Sequence, residues 1–334
     1  MIAEHKKRSV EAEKPKFVST GSTLLNLGLS DDPYGGFPVG KIANIIGDHS
    51  AGKTFILLTL FAEATYNPLF AEYDIFYDEP EQALEINIPK LFGDVVEERI
   101  IKKYISDTIE DFHDNVFEVL KKEKPFIYGE DSFDALTSEA ELKRDIRDGS
   151  YKMEKAKISG EILRKIVGKI NGTDSLLIII SQTRENIGVT FGSKKTRSGG
   201  KALHFYCTHE LWTAVKGHIK RKERDVGVNI IVKISKNKFT GKLRTIEFPI
   251  YFDYGIDNIG SCIDWLIEEK HWIVQKRTIN APEFIDATKE KLIQYIEEEK
   301  LESKLIEIVA KKWKEIEESI ATNRPGKYEK EKEE

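Results

Sequence analysis

Cysteine is nearly missing from this chain. Two thiols, Cys207 and Cys262, stand among 334 residues, too few for a disulfide framework. Lone thiols in a chain of this length fit a reducing compartment, and a cytoplasmic location is the expectation. No apolar run is long enough to span a bilayer, so no membrane contact is expected. The charged start (His5, Lys6, Lys7, Arg8) is followed by no apolar stretch of signal length. The seven histidines are scattered, and no Cys/His spacing forms a metal cage. A strong charge of one sign is also lacking. The formal net charge is −5, so any nucleic-acid site has to be a local cationic patch. No internal repeat is visible, and the length allows one large α/β domain with an appendage, or two domains.

What is present centres on residues 41–64. Ile42 to Ile46 is an apolar run that suits a buried parallel strand. Gly47-Asp48-His49-Ser50-Ala51-Gly52-Lys53-Thr54 then fits G-x-x-x-x-G-K-[ST], and Phe55 to Ala64 has the composition of a helix. The strand, glycine loop and helix stand in the order phosphate binding requires. The glycines let successive N–H groups turn inward toward phosphate oxygens, and the helix N-terminus adds partial positive charge. Residues Gly47 through Phe55 would cradle the nucleotide. Lys53 would reach the β- and γ-phosphates, and the Thr54 hydroxyl would ligate Mg²⁺.

Further strands carry acids at their ends. Ile75 to Tyr77 is followed by Asp78-Glu79-Pro80-Glu81, placed either to orient a water or to form a solvated acidic turn. Phe126 to Tyr128 leads into Gly129-Glu130-Asp131-Ser132. Asp131 there is either a Walker B acid or the cap of the next turn, and Glu130 occupies a position that is normally apolar. Apolar spacing over 94–124 predicts an amphipathic helix or two, ended by Pro125. Charged residues 142–157 around Gly149-Ser150 read as a mobile loop, 158–170 as a helix, and Leu176 to Ile180 as a fourth central strand ending at Ser181-Gln182. The lead-in over 18–40 reads as turns. Residues 183–200 are glycine-rich and cationic, with Ile187, Val189 and Phe191 interspersed. That composition suits a single-strand binder, or an ordinary solvated loop. Residues 226–236 and 243–252 read as a hairpin, 260–273 and 281–320 as helices, and 327–334 as a mixed-charge tail.

Taken together, these segments resemble the bacterial RecA recombinase family over roughly residues 18–273. The resemblance is carried by STGSTLLNLGL…GGFPVGKIANIIG with the phosphate loop, by SQTRENIGVTFG…SGGKALHFY, and by Lys236-Asn237-Lys238 with Tyr254-Gly255-Ile256. It implies an α/β RecA-like P-loop NTPase core with a mostly parallel sheet flanked by helices, and a small C-terminal helical or α+β domain. The division would be an arm over 1–17, the core over 18–258 and the C-terminal unit over 259–334.

For individual positions it implies ATP and Mg²⁺ at Lys53, Thr54 and Asp131, with Gln182 sensing the γ-phosphate. Arg184, Asn186, Ile187, Gly188, Arg197, Ser198, Gly199, Gly200 and Lys201 would contact single-stranded DNA. The first DNA loop would lie over 138–157, with Met153 as a contact. Lys236 and Lys238 would reach a neighbour's γ-phosphate across a subunit interface that also holds Phe205. The family's catalytic carboxylate falls on Glu79 or Glu81, and His204 stands where the family has a cation. Such departures suit a bacteriophage or mobile-element homologue.

The implied activity is a DNA-dependent ATPase that forms filaments on single-stranded DNA and exchanges strands with homologous duplex. A hexameric helicase-type motor and a nucleotide-switched recombination mediator are the competing readings.

Overall fold

Uninterrupted apolar runs form the middle of the sheet. In the computed structural model, which describes residues 15–84, 86–143, 152–185, 195–197, 200–322 and 324, a ten-stranded sheet organises the chain. From one edge the strands run Ile100–Ile101, Asp74–Asp78, Phe126–Glu130, Leu176–Glu185, Lys41–Gly47 and His209–Arg221, all parallel. Arg224–Asn237, Thr245–Tyr251 and Gly255–Ile256 continue the sheet antiparallel. The short Lys195–Arg197 strand pairs back on the far end of Leu176–Glu185.

Alternating side chains of the central strands feed two apolar layers. Ala43, Ile45, Ile178 and Ile180 pack with the Lys53–Tyr66 and Thr23–Ser30 helices. Ile42, Leu177 and Ile179 pack with the Ile109–Leu120 and Lys152–Ile170 helices. Burial on both faces is why these strands read as continuous apolar runs rather than alternating ones. The C-terminal helices Lys289–Glu298 and Glu302–Ser319 join the first layer through Leu292, Ile296, Leu305 and Val309. Arg244 fastens the second of these helices. Its guanidinium lies 4.9 Å from the Trp313 ring centroid and pairs with Asp31 (2.6 Å) and Glu317 (2.7 Å). At the C-terminal end of the Lys53–Tyr66 helix, Arg99 donates to the carbonyls of Ala64 (3.2 Å) and Thr65 (3.0 Å), a cation on the negative end of the helix dipole.

Several segments differ from the sequence reading. The lead-in contains a helix, Thr23–Ser30, capped by Ser22, whose hydroxyl accepts from Leu25 N at 3.3 Å. The apolar series over 94–124 is shared between the Asp94–Arg99 helix, the edge strand Ile100–Ile101 and the Ile109–Leu120 helix. A Thr108–Asp111 capping box starts the last of these, a signal the periodicity masked. The helix read over 158–170 begins at Lys152. Ile273 lies in a small hairpin, Ile273–Gln275 with Thr278–Asn280, rather than in a helix. The His209–Arg221 strand went unread. Its outer half is largely exposed on both faces, and its turn, Lys222-Glu223, has positive φ at both residues without the Asn or Gly that marks such turns.

One buried group works against this packing. Glu130 is fully buried, stands opposite Asp78 in the sheet, and neither of its carboxyl oxygens has a hydrogen-bond partner among the described residues. Burial, then the charge of Asp78, pushes its pKa well above the carboxylate range. The unfolded chain gives up this proton near pH 4.3, the folded chain only well above that, so Glu130 costs stability increasingly as pH rises. Glu130→Val is therefore expected to stabilise the protein by about 1–3 kcal/mol at pH 7. The gain should shrink toward pH 4.5, as read by urea unfolding at both pH values.

Candidate nucleotide site

The Lys41–Gly47 strand ends where the phosphate loop begins, and the loop's shape explains its two glycines. A Cβ at Gly47 would lie 2.2 Å from Thr213 Oγ1 and 2.7 Å from the Thr213 carbonyl, so no side chain fits. Gly52 takes φ +79, and a Cβ there would also meet Ile250 Cδ1 at 2.7 Å. His49 and Ser50 are exposed, while Ala51 is buried against the sheet. The Lys53–Tyr66 helix carries no acid of its own in its first turn. Lys53 is buried, and its Nζ donates to the carbonyls of Gly47 (3.0 Å) and Asp48 (2.6 Å). Burial lowers its pKa, while Asp131, Asp48, Asp134 and Glu81 hold it up.

Next to the loop, Thr54 Oγ1 donates to Asp131 Oδ2 at 2.7 Å, and the Tyr77 hydroxyl reaches the same oxygen at 3.3 Å. Burial raises the Asp131 pKa, and the Thr54 bond and the Lys53 charge oppose that. A hydroxyl and a carboxylate in contact are the hard oxygen donors Mg²⁺ prefers. No group of three or more His, Cys, Asp or Glu fit for a metal occurs among the described residues.

The two acids left open by the sequence point different ways. Glu79 Oε1 accepts from Ala83 N at 2.7 Å and so closes its own turn, and burial raises its pKa. Glu81 Oε1 instead accepts from Ser132 Oγ at 3.0 Å and from Gln182 Nε2 at 3.2 Å. Gln182 is level with Gly47 in the parallel register, which puts it beside the phosphate loop. The next residue, Thr183, donates its hydroxyl to the Asp48 carboxylate of that loop.

Past Gln182 the strand leaves the sheet body. Thr183, Arg184 and Glu185 pair with Arg197, Thr196 and Lys195, so the cationic segment opens and closes as a hairpin. Arg184 is exposed. Asn186, Ile187, Gly188, Ser198 and Gly199 lie outside the described residues. Only the backbone is described at Met153, in the first turn of the Lys152–Ile170 helix, at Arg197, and at Gly200 and Lys201, which begin the Gly200–Tyr206 helix. At the end of that helix Phe205 is 69 % exposed. Lys236 Nζ donates to the Phe205 carbonyl at 3.2 Å, and Lys238 is exposed beyond it. His204 Nδ1 sits 2.9 Å from Glu210, a buried carboxylate that also accepts from Trp212 (3.1 Å) and Ser235 (2.8 Å).

Sequence reasoning missed three features of the site. Ser132 bridges Glu81 and Gln182, and Asp134 takes the Gln182 backbone N–H. Both follow the Asp131 acid, but only folding brings them to Gln182. The third is a cleft of about 250 Å³ along residues 50–55 whose far wall is apolar: Ile86, Val228, Ile250 and half-exposed Phe252. An apolar wall beside a phosphate loop suits the flat face of a nucleobase. No local pattern links strands so distant in the chain.

Because Gly52 needs both its φ and its missing side chain, Gly52→Ala adds about 1–3 kcal/mol of backbone strain. About tenfold weaker ATP binding by titration calorimetry is the expected outcome, with the far-ultraviolet circular dichroism unchanged.

Residues 3–257 match the model of the RecA N-terminal domain. The chain is 33% identical over 259 residues to Protein RecA of Colwellia psychrerythraea, covering 78% of this chain and 72% of that one. It is 32% identical over 259 residues to Protein RecA of Nostoc punctiforme (78% and 69%) and 31% identical over 259 residues to Protein RecA of Clostridium tetani (78% and 71%). The chain belongs to the RecA family of recombination ATPases.

Proposed function

We propose that this chain assembles on single-stranded DNA with ATP between adjoining protomers, then pairs the strand with homologous duplex and exchanges it. The reading rests above all on one observation. Gln182 bonds to Glu81 and Ser132 beside the phosphate loop, and two residues later the same strand enters the cationic hairpin.

The residues divide the work as follows. Backbone N–H groups of residues 47–55 and the Lys53 ammonium bind the phosphates. Thr54 and Asp131 would hold Mg²⁺, which supplies positive charge to the phosphate oxygens when bound. Glu81 is the general base. It orients a water toward the γ-phosphorus and takes its proton, while Glu79 shapes the turn. The Gln182 amide donates to the γ-phosphate in place of Glu81, so the presence of that phosphate alters the strand end and the loop behind it. Arg184, Asn186, Gly188, Arg197 and residues 198–201 contact the DNA backbone, with Ile187 wedged between bases and Met153 contributing from the other loop. Lys236 and Lys238 reach the neighbouring protomer's nucleotide, and Phe205 packs at that interface. Base pairing, not the protein, supplies sequence specificity.

The decisive experiment is strand exchange between circular single-stranded DNA and linear duplex. Wild type with ATP is expected to form joint molecules, and Lys53→Ala to form none. Under electron microscopy the wild type should coat single strands as continuous filaments, and closed rings would favour a translocating motor instead. In the same preparations Glu81→Gln should lower DNA-stimulated ATP turnover by about 10²–10⁴-fold. Glu79→Gln should stay within about threefold of wild type, as expected for a turn-forming surface group. Equal losses in the two variants would contradict the assignment of the base.

A further inference from the structure

The Leu176–Glu185 strand loses its neighbour on one side before it ends. Its pairing with Phe126–Glu130 stops at Ile179 opposite Glu130, while pairing with Lys41–Gly47 on the other side continues to Gln182. The turn after Glu130 takes over the vacated side. Phe133 N donates to the Ile180 carbonyl at 2.9 Å, and Asp134 Oδ2 accepts the Gln182 N–H. A side-chain acceptor thus stands where a neighbouring strand would have offered a carbonyl. The distinction matters, because a side chain can release its partner by rotating, whereas a strand carbonyl lets go only when the ladder opens.

The surroundings of Asp134 concern the same region. Its other oxygen, Oδ1, is buried with no hydrogen-bond partner among the described residues. Burial raises the carboxylate's pKa, and three cations from three different segments oppose the rise: Arg184 on the hairpin strand, Lys155 on the Lys152–Ile170 helix, and Lys53 in the phosphate loop. Lys155 also donates to the Leu136 carbonyl of the same turn. Asp134, Gln182, Arg184 and Glu81 line one cleft of about 300 Å³. The two segments assigned to DNA and the one assigned to phosphate therefore meet at this carboxylate.

We propose that Asp134 is a positioning residue whose hydrogen bond to the Gln182 N–H is the releasable link between nucleotide and DNA loop. While the bond is made, Gln182 and Arg184 are held in the strand. When the Gln182 side chain turns to a γ-phosphate, the bond gives way and the hairpin start is free to follow. The inference rests on the reading of Gln182 as the nucleotide-responsive residue.

Two measurements test it. The first is the ratio of ATP turnover with and without single-stranded DNA for wild type, Asp134→Ala and Asp134→Asn. Asparagine keeps an oxygen acceptor and discards the charge. Alanine is expected to lower the ratio about tenfold, as loss of a hydrogen bond to a charged group would, and asparagine to keep it within about twofold of wild type. A ratio unchanged in Asp134→Ala, equal losses with and without DNA, or failure of asparagine to rescue would each overturn the proposal. The second needs no variant. Amide exchange at Gln182 in the wild type should speed up about tenfold when a non-hydrolysable ATP analogue is added, as expected for release of that bond. Unaltered exchange would overturn the proposal even if the alanine variant does not fold. Wild-type turnover indifferent to DNA would instead remove the recombinase reading, and the exchange measurement would still judge the Asp134 bond.

Discussion

Everything at this site depends on the register of parallel strands. Gly47 lies level with Gln182 and with Thr213, and Asp78 with Glu130, so the strands bring their chemistry to one edge. A parallel sheet puts all its C-terminal ends on the same side, and helix N-termini meet them there. A slip of one residue would turn Gln182 to the opposite face and bury its amide in an apolar layer. The uninterrupted apolar stretches prevent that slip. Ile45, Ile178 and Ile180 fit one layer, and Ile42, Leu177 and Ile179 fit the other. The apolar core therefore holds that edge in place.

The same logic explains what was legible beforehand. The phosphate loop could be read because its chemistry requires glycine at fixed spacing: Gly47 has no room for a side chain, and Gly52 takes a left-handed φ of +79. The central strands could be read because burial on both faces leaves an apolar run. The choice between Glu79 and Glu81 could not be made, because both follow the same strand and only the turn around Pro80 decides which carboxylate faces Gln182. Nor could the His209–Arg221 strand be read, since half of it extends beyond the core and has no pattern to satisfy. Ser132 and Phe252 reach the site through pairings remote in the chain, which periodicity does not encode.

Two acids stand on the turn after the Phe126–Glu130 strand or at its end without being needed to hold phosphate. Glu130 is sealed beneath the sheet edge beside Asp78, whose own carboxylate is satisfied by Ser106 and the Tyr128 hydroxyl. With no donor left over for Glu130, holding its proton is the least costly arrangement. Asp134 is placed differently. Burial raises its pKa as well, but a backbone donor and three nearby cations oppose that rise. A few residues apart, burial thus pushes the same side-chain chemistry toward the neutral form at both positions, and only at Asp134 do hydrogen bonding and cations oppose it. What separates them is whether a donor has been supplied.

The energies suit a switch better than a rigid scaffold. The Gln182 region is held by its amide bonds to Glu81 and Ser132, by its N–H on Asp134, and by Thr183 on Asp48. Each bond contributes about 0.5–1.5 kcal/mol net, or up to about 3 kcal/mol where a carboxylate accepts. Exchanging one or two of them therefore amounts to about 1–3 kcal/mol, the usual size of a coupling free energy between sites. A backbone ladder at the same place would need several bonds broken together and would not respond to a single phosphate. At Gln182 the ladder with Lys41–Gly47 holds one side of the strand and side chains hold the other, so only the second side offers single bonds of that size.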